Sequence, residues 1–320
     1  MSASSVKYRP WEPGDKNELR AFFAQHIFPH SAFLSSQGKY EMTLRHFETS
    51  FESILTESDC CAVLAVEYGN ILGIVVIKTG RKESITQEKQ SEILELISDG
   101  QETFRELLIL AAKEARKAGD AYLVYHTLES QALEKSWAKE FGFQTELVTT
   151  YIKIPAGESF ESHPDYRLRK AEEHEILFIL GVITDHSPAY IPAHRVIDKE
   201  EIQASFLDSY SELSSQDKKR VPLVLERISS GALLGYIILQ PNRLLGKTGP
   251  LTMYLYDIAI GPKGYGLGLS RWIELGAKQL MSKMGGGFLY GDVSPANKIA
   301  MSANLSWGTQ IDSRRWGLKL

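Results

Sequence analysis

From Tyr256 to Ser270 the sequence reads Tyr-Asp-Ile-Ala-Ile-Gly-Pro-Lys-Gly-Tyr-Gly-Leu-Gly-Leu-Ser. A β-branched, apolar run leads into a turn with glycines at 261, 264, 266 and 268, and a helical pattern follows. Such a turn lets several backbone N–H groups converge, and the start of a helix adds its partial positive charge. The chemistry it invites is the binding of a phosphate or pyrophosphate. A P-loop would need Lys-Ser or Lys-Thr after its last glycine, where this chain has Leu269-Ser270. A dinucleotide fold would need GxGxxG at the head of a βαβαβ unit with an acidic residue about 20 positions on, and little chain remains here for either.

A second motif lies downstream. Asp292-Val293-Ser294-Pro295-Ala296-Asn297-Lys298-Ile299-Ala300 is followed by Leu305-Ser306-Trp307-Gly308-Thr309. Together the two motifs resemble the GCN5-related N-acetyltransferases. That family's pyrophosphate loop runs strand, Pro, two residues, Arg or Gln, Gly, x, Gly, x, Gly or Ala, helix. Anchored on Pro262, this sequence supplies Tyr265, Gly266, Leu267, Gly268, Leu269 and Ser270, with Tyr265 in place of the basic or amide residue and Ser270 in place of the last small one. The family's late strand ends in an acidic residue and Val, and Asn-x-x-Ala opens the next helix, as Asn297 to Ala300 do here. The resemblance covers the whole chain as fold and Tyr166 to Leu320 as motif. It implies an acyl-CoA cosubstrate, acetyl-CoA first, held by Tyr265 to Ser270, by strand residues Ile258, Ala259 and Ile260, and by Asn297 beside the pantetheine arm.

In this family an uncharged amine attacks the thioester directly, which calls for a base, an oxyanion donor and a fate for the thiolate. The resemblance places the oxyanion donor on the strand backbone near Ala259 or Ile260. Asp257 is the candidate base, as the one carboxylate in the strand Leu251 to Ile260; the alternative is an Asp that hydrogen-bonds backbone or holds the amine electrostatically. Counting from Asn297, the position where many members carry an acidic Tyr is Asn304, which leaves Ser302, Tyr290 or water open as the proton donor. The acceptor would be lined by His186, Tyr190 and His194, together with Tyr290; a plain surface turn is the alternative for the segment 185–194. His26 and His30 stand four apart without a third ligand nearby, so no metal is expected.

Positioning these residues requires a strand–helix framework, and the chain offers it twice. In the second half, short strand Tyr166 to Lys170 precedes a helix from Glu172. Strands Pro222 to Ile228 and Ala232 to Gln240 are joined by Ser229-Ser230-Gly231, and Leu251 to Ile260 follows. A helix carries the stripe Leu269, Trp272, Ile273, Gly276, Ala277, Leu280, Met281, Met284, stopped by Gly285-Gly286-Gly287. The first half repeats the order: Tyr8-Arg9 answers Tyr166-Arg167, Gly73 answers Gly235, and Phe141-Gly142-Phe143 answers Trp307-Gly308-Thr309. The expected class is α/β (α+β), two tandem domains, each with a mixed central sheet flanked by helices. The expected boundary lies in Pro155 to Pro164, giving domains 1–157 and 164–320. The first copy lacks the loop: Ser98-Asp99-Gly100-Gln101-Glu102-Thr103 has one glycine and two carboxylates, and Gln131 stands in the Asn297 position. It is expected to be a scaffold and substrate wall without cofactor.

The net charge of −4 argues against nucleic acid or anionic membrane as a partner. The chain's two cysteines, Cys60 and Cys61, are adjacent, which disfavours a disulfide between them and suits a reducing, cytoplasmic setting. No stretch approaches the ~20 apolar residues that span a bilayer. The resemblance therefore implies an acetyl-CoA-dependent N-acetyltransferase for a small-molecule primary amine, a metabolite or an amine-bearing antibiotic. Two alternatives are acyl loading onto a carrier-protein thiol and a non-catalytic acyl-CoA sensor. The oligomeric state is not legible.

Overall fold

The computed structural model describes residues 6–26, 52–83, 86–186, 220–243 and 251–320, with 189, 191, 192, 194, 195, 200 and 204 as single or paired positions. The first repeat runs β1 (Lys7–Pro10), α1 (Lys16–His26), β2 (Cys60–Glu67), β3 (Asn70–Lys82), β4 (Lys89–Ser98), α2 (Gln101–Lys117), β5 (Tyr122–Leu128), α3 (Ala132–Glu140) and β6 (Gln144–Ile154). The second runs β7 (Tyr166–Lys170), α4 (Ile176–His186), β8 (Val221–Arg227), β9 (Ala232–Arg243), β10 (Leu251–Ile260), α5 (Ser270–Lys283), β11 (Gly287–Val293), α6 (Lys298–Ser306) and β12 (Gln310–Lys319).

The chain divides into two compact units, Met1–Thr145 with Ser313–Leu320, and Glu146–Asp312. These differ from the single cut expected between 155 and 164. In the first unit the strand order is β1-β2-β3-β4-β5-β12, and in the second β7-β8-β9-β10-β11-β6. The closing strand of each unit therefore comes from the other repeat. β6 pairs antiparallel with β11 from Val148↔Val293 to Ile154↔Gly287, and β12 pairs antiparallel with β5 from Ser313↔Leu128 to Lys319↔Tyr122.

Each unit has two apolar layers on its sheet. In the first, Phe104, Leu107, Leu108, Ala111, Ala112 and Ala115 of α2 pack on one face, and Leu19, Phe22 and Phe23 of α1 on the other. In the second, Ile273, Ala277 and Met281 of α5 are fully buried on one face, while Ile176, Ile179, Val182 and Ile183 of α4 cover the other. The spacing three and four apart is what turns one helical stripe toward a sheet, and each such aliphatic side chain contributes about 1.5–3 kcal/mol by leaving water. Met284, read as the end of the α5 stripe, is 48% exposed, because the helix stops at Lys283 and Gly285 takes a positive φ.

The repeat extends to side-chain detail. Arg9 forks onto Asp15 at 2.5 and 2.7 Å, and Arg169 forks onto Glu175 at 2.6 and 2.7 Å. In both copies the carboxylate also accepts a backbone N–H three residues back, from Glu12 or Glu172. Arg9 and Asp15 thus correspond to Arg169 and Glu175, so Tyr8 corresponds to Leu168 and not to Tyr166. The correction has a physical basis, since the ion pair and the ladder fix register, whereas one matching aromatic does not.

Candidate active site

Two features shared by both copies prepare a cleft. The parallel pair β10–β11 is in register only from Thr252↔Phe288 to Leu255↔Gly291, and β4–β5 only from Gln90↔Tyr122 to Ile93↔Tyr125. Beyond those points the strands part. At the same place the ladder to the preceding strand skips a residue, Tyr256 in β10 and Leu94 in β4. Such a bulge sharpens the twist and puts two consecutive side chains on one face. In the second unit those are Tyr256 and Asp257, both turned toward the α4 layer.

What differs is the loop that follows. Gly261 N–H bonds Leu234 O and Asp99 N–H bonds Leu72 O, both pairs 162 residues apart. After the loop, Gly119 and Gly285, and Gly142 and Gly308, are positive-φ equivalents 166 apart. Four extra residues therefore lie between Gly261 and α5. There Gly266 and Gly268 have φ of 76° and 65°, a region side-chain-bearing residues avoid. Gly264 is needed for a different reason, since a Cβ there would lie 2.7 Å from Leu234 O. Residues 265–268 face solvent. Among the described residues, the N–H groups of Gly266, Gly268, Leu269 and Ser270 have no backbone acceptor. They crown a 14-residue helix whose first turn holds no acidic residue. Amides left open in this way can receive an anion, and a diphosphate fits the chemistry of the donor set.

In the first unit the corresponding corner carries two carboxylates. Asp99 is 2.6 Å from His26 Nε2, Gly100 has an ordinary extended backbone, and Glu102 stands in the first turn of α2. Among the described residues of this corner, no positive-φ glycine precedes α2.

The candidate catalytic residues lie on opposite faces of the sheet. Asp257, 4% exposed, accepts hydrogen bonds from the fully buried Tyr236 hydroxyl at 2.7 Å and from Ile258 N–H at 2.7 Å. Asn304 is on the α5 and α6 face, where its Oδ1 accepts from Thr150 at 2.9 Å and Thr309 at 2.6 Å. Because Gly261 N–H points at β9, alternation along the ladder turns Ala259 toward β9 and the N–H groups of Ile258 and Ile260 toward the splay. Of the residues near 259 and 260, Ile260 is thus the one whose N–H faces the opening. Asn297 Oδ1 caps α6 by accepting from Ala300 N–H at 3.0 Å.

His186 ends α4, with Nε2 3.3 Å from Ile260 O and 3.0 Å from the Tyr265 hydroxyl. It stands at the junction of strand and loop. His194 is 3.0 Å from Glu146, a buried carboxylate also gripped by Arg195 at 2.7 and 2.9 Å, so it belongs to a buried ion group. Tyr190 lies outside the described residues, as does His30. Tyr290 packs 5.1 Å from Tyr254, and Tyr254 6.3 Å from Tyr256.

Several residues escaped the sequence reading. Tyr254 donates to Asp292 at 3.0 Å, and Thr149 donates to the other oxygen at 2.6 Å. Burial, reinforced by Asp292, pushes the Tyr254 hydroxyl well above the usual range, which keeps it a donor. The period-two spacing of Tyr254 with Tyr256, and of Tyr290 with Asp292, was the available signal. Glu274 and Lys278 form a buried pair on α5, with Lys278 also donating to Trp307 O at 3.0 Å. Among the described residues, Glu57, Asp59 and Cys60 lie close enough to share an ion, but the two carboxylates are exposed and salt-bridged to Lys78. Burial pushes the Cys60 thiol up to about 11.

No protein-family model matches the sequence, and no curated protein sequence matches it. Solved structures do. A GCN5-related N-acetyltransferase from Sphaerobacter thermophilus is 11% identical, with a TM-score of 0.58 over 100% of this chain and 97% of its own. A tandem GNAT protein from the clavulanic acid biosynthesis pathway, also 11% identical, gives 0.51 over 98% of both chains. A glucosamine N-acetyltransferase region of a fungal multi-domain GH3 β-N-acetylglucosaminidase gives 0.56 at 11% identity, over 99% of this chain and 38% of that one. The chain has the fold of the tandem GCN5-related N-acetyltransferases, an α+β architecture present along its full length. Among the described residues, no helix is long and apolar enough to cross a membrane.

Proposed function

We propose that the second unit is an acyl-CoA-dependent N-acyltransferase, acetyl-CoA being the expected donor, acting on a primary amine of a small molecule. The observation that carries this reading is the set of unbonded N–H groups of Gly266, Gly268, Leu269 and Ser270, beside strands that part after Leu255 and Gly291. The cradle would hold the diphosphate, and the splay would take the pantetheine arm. Bound there, an acyl-CoA supplies the acyl group as a thioester.

The acceptor nitrogen forms the C–N bond as the C–S bond breaks, and its proton must leave. Asp257, on the α4 face two residues past the last paired position of β10, would take it, directly or through water. Ile260 N–H is set to donate to the carbonyl oxygen as charge develops on it. The thiolate takes a proton from Tyr290, Ser302 or water, or leaves as the anion, since a thiol is acidic enough to do so. The first unit, four residues short at the loop and with Asp99 and Glu102 where phosphates would lie, serves as scaffold. Two free cysteines and an acidic net charge suit a cytoplasmic enzyme with a cationic acceptor.

The test is thiol release from acetyl-CoA by the full chain across a panel of amines. Acceptor-dependent release with one class supports the reading, and none in any class overturns it. One observation favours a second reading: the oxygen of Asn304 is already held by two threonine hydroxyls, so no acid occupies that position. A non-catalytic acyl-CoA sensor would bind acetyl-CoA tightly without turnover.

A further inference from the structure

On the α4 face of the second unit, beside the mouth of the splay, Tyr254, Tyr256 and Tyr290 form a continuous aromatic wall, with successive centroids 5.1 and 6.3 Å apart. Asp292 stands at its edge on the same face, exposed, its two oxygens oriented by the Tyr254 and Thr149 hydroxyls at 3.0 and 2.6 Å. Buried Asp257 lies on the same face next to Tyr256. The wall already accepts a cation, since the guanidinium of Arg220 lies 3.7 Å from the ring centroid of Tyr256. Ring faces carry partial negative charge, so tyrosines flanked by carboxylates make a surface that favours positive charge and disfavours anions.

A single amine would be drawn to this surface as an ammonium ion and then have to lose its proton to react. A wall with a carboxylate outside the reacting position makes a different demand, because it rewards a cation that stays charged. We propose that the acceptor carries a second, permanently protonated group, an ammonium or guanidinium, which docks against Tyr254 and Tyr290 with Asp292 as its counter-ion while the first amine reacts. This rests on the amine-acylation reading above and names its substrate class: a diamine or an amine-bearing guanidine.

The experiment compares 1,4-diaminobutane, agmatine, n-butylamine and 4-aminobutanol as acceptors for the full chain, with acetyl-CoA as donor. The expected result is a kcat/KM for the two dications at least ten-fold above that for the two monocations, carried mainly by KM. Asp292→Asn should reduce that selectivity ratio about ten-fold, and Tyr290→Leu should reduce it as well. Equal kcat/KM across the four amines, or an unchanged ratio in both variants, overturns the proposal. Because Asp292 also holds Thr149 and Tyr254, thermal melting of the variant checks that the sheet is intact, and Tyr254→Phe is read alongside it.

Should no amine turn over, the acylation reading falls but the docking surface is still tested. Calorimetric titration of 1,4-diaminobutane into the full chain should show binding that Asp292→Asn weakens about ten-fold. No binding, or binding indifferent to Asp292 and Tyr290, sinks the surface too.

Discussion

The Tyr265 hydroxyl lies 3.0 Å from Nε2 of His186, joining the crest of the glycine loop to the last residue of α4. The two rings meet edge to face at 6.1 Å. A residue on the cofactor loop is thus tied to one expected beside the acceptor. Tyr265→Phe removes the hydroxyl and keeps the ring. A hydrogen bond of this kind is worth about 0.5–1.5 kcal/mol, so acetyl-CoA affinity should fall by up to roughly ten-fold in calorimetry. An unchanged affinity would show that the loop holds its shape without His186.

Gly268 has φ of 65° and open space around it, so its intolerance comes from the backbone and from charge. A left-handed conformation costs a side-chain-bearing residue about 1–2 kcal/mol, and a carboxylate would also sit where phosphates belong. Gly268→Glu should abolish measurable acetyl-CoA binding while the melting temperature moves by only a few degrees. Retained binding would show the cradle to be elsewhere.

Gly73 and Gly235 occupy the same place in the two copies. A Cβ at Gly235 would lie 2.8 Å from Ala259 O, and at Gly73 2.9 Å from Ile97 O. Overpacking of this kind costs about 1–3 kcal/mol. Gly235→Ala and Gly73→Ala should each destabilise the fold by that amount in chemical denaturation. Gly235→Ala should also weaken acetyl-CoA binding, because the displaced backbone is that of β10. A Gly73→Ala variant as impaired in binding would contradict the assignment of the site to the second unit.

Asp257 has two possible duties, and kinetics separate them. As the base, Asp257→Asn should lower kcat by about 10²–10⁴-fold while the melting temperature stays nearly unchanged. As a packing group for Tyr236 it would lower the melting temperature with kcat nearly intact. The first outcome is expected.

Two glutamates should respond to pH in opposite senses. The Arg169 guanidinium holds Glu175 below the ordinary carboxylate value of 4.5, so its contribution is complete above that value and disappears as pH falls through the lower folded value. Glu95, the first-unit equivalent of Asp257, is pushed by desolvation up to about 7. Its neutral form is therefore the favoured one in the fold: its contribution is complete below 4.5 and lost as pH rises through about 7. Glu95 keeps part of its surface in solvent, which discounts the effect to on the order of 1–2 kcal/mol. Glu95→Gln should raise stability at pH 8 and change it little at pH 4.5. Glu175→Gln should lower stability at pH 7, with a penalty that shrinks on acidification. Denaturant midpoints across that range provide the check.

The glycine loop was legible because its requirement is written in residue type: positive φ at 266 and 268 and close approach at 264 all demand glycine. The helical stripes were legible for the same reason, with period fixing face. Pairing partners were not. Alternation along Gln144–Ile154 and Gln310–Lys319 says which side chains are buried but not which strand lies alongside, so the exchange of β6 and β12 left no local mark. Glu274 and Lys278, four apart on α5, carry no local signal of burial, and only the fold shows them buried against Trp307. The carboxylate partner of His194, Glu146, is 48 residues away in sequence and had no signal at all.

The exchanged closing strands impose an order on biosynthesis. Everything else in the first unit is synthesised by residue 145, yet its sheet stays one strand short until Ser313–Leu320 have been made. For the time it takes to make the intervening 167 residues, β5 offers an unprotected hydrogen-bonding edge, the kind of surface that recruits chaperones or neighbouring chains. A gene cut in the linker at 157–164 would leave each product without its closing strand.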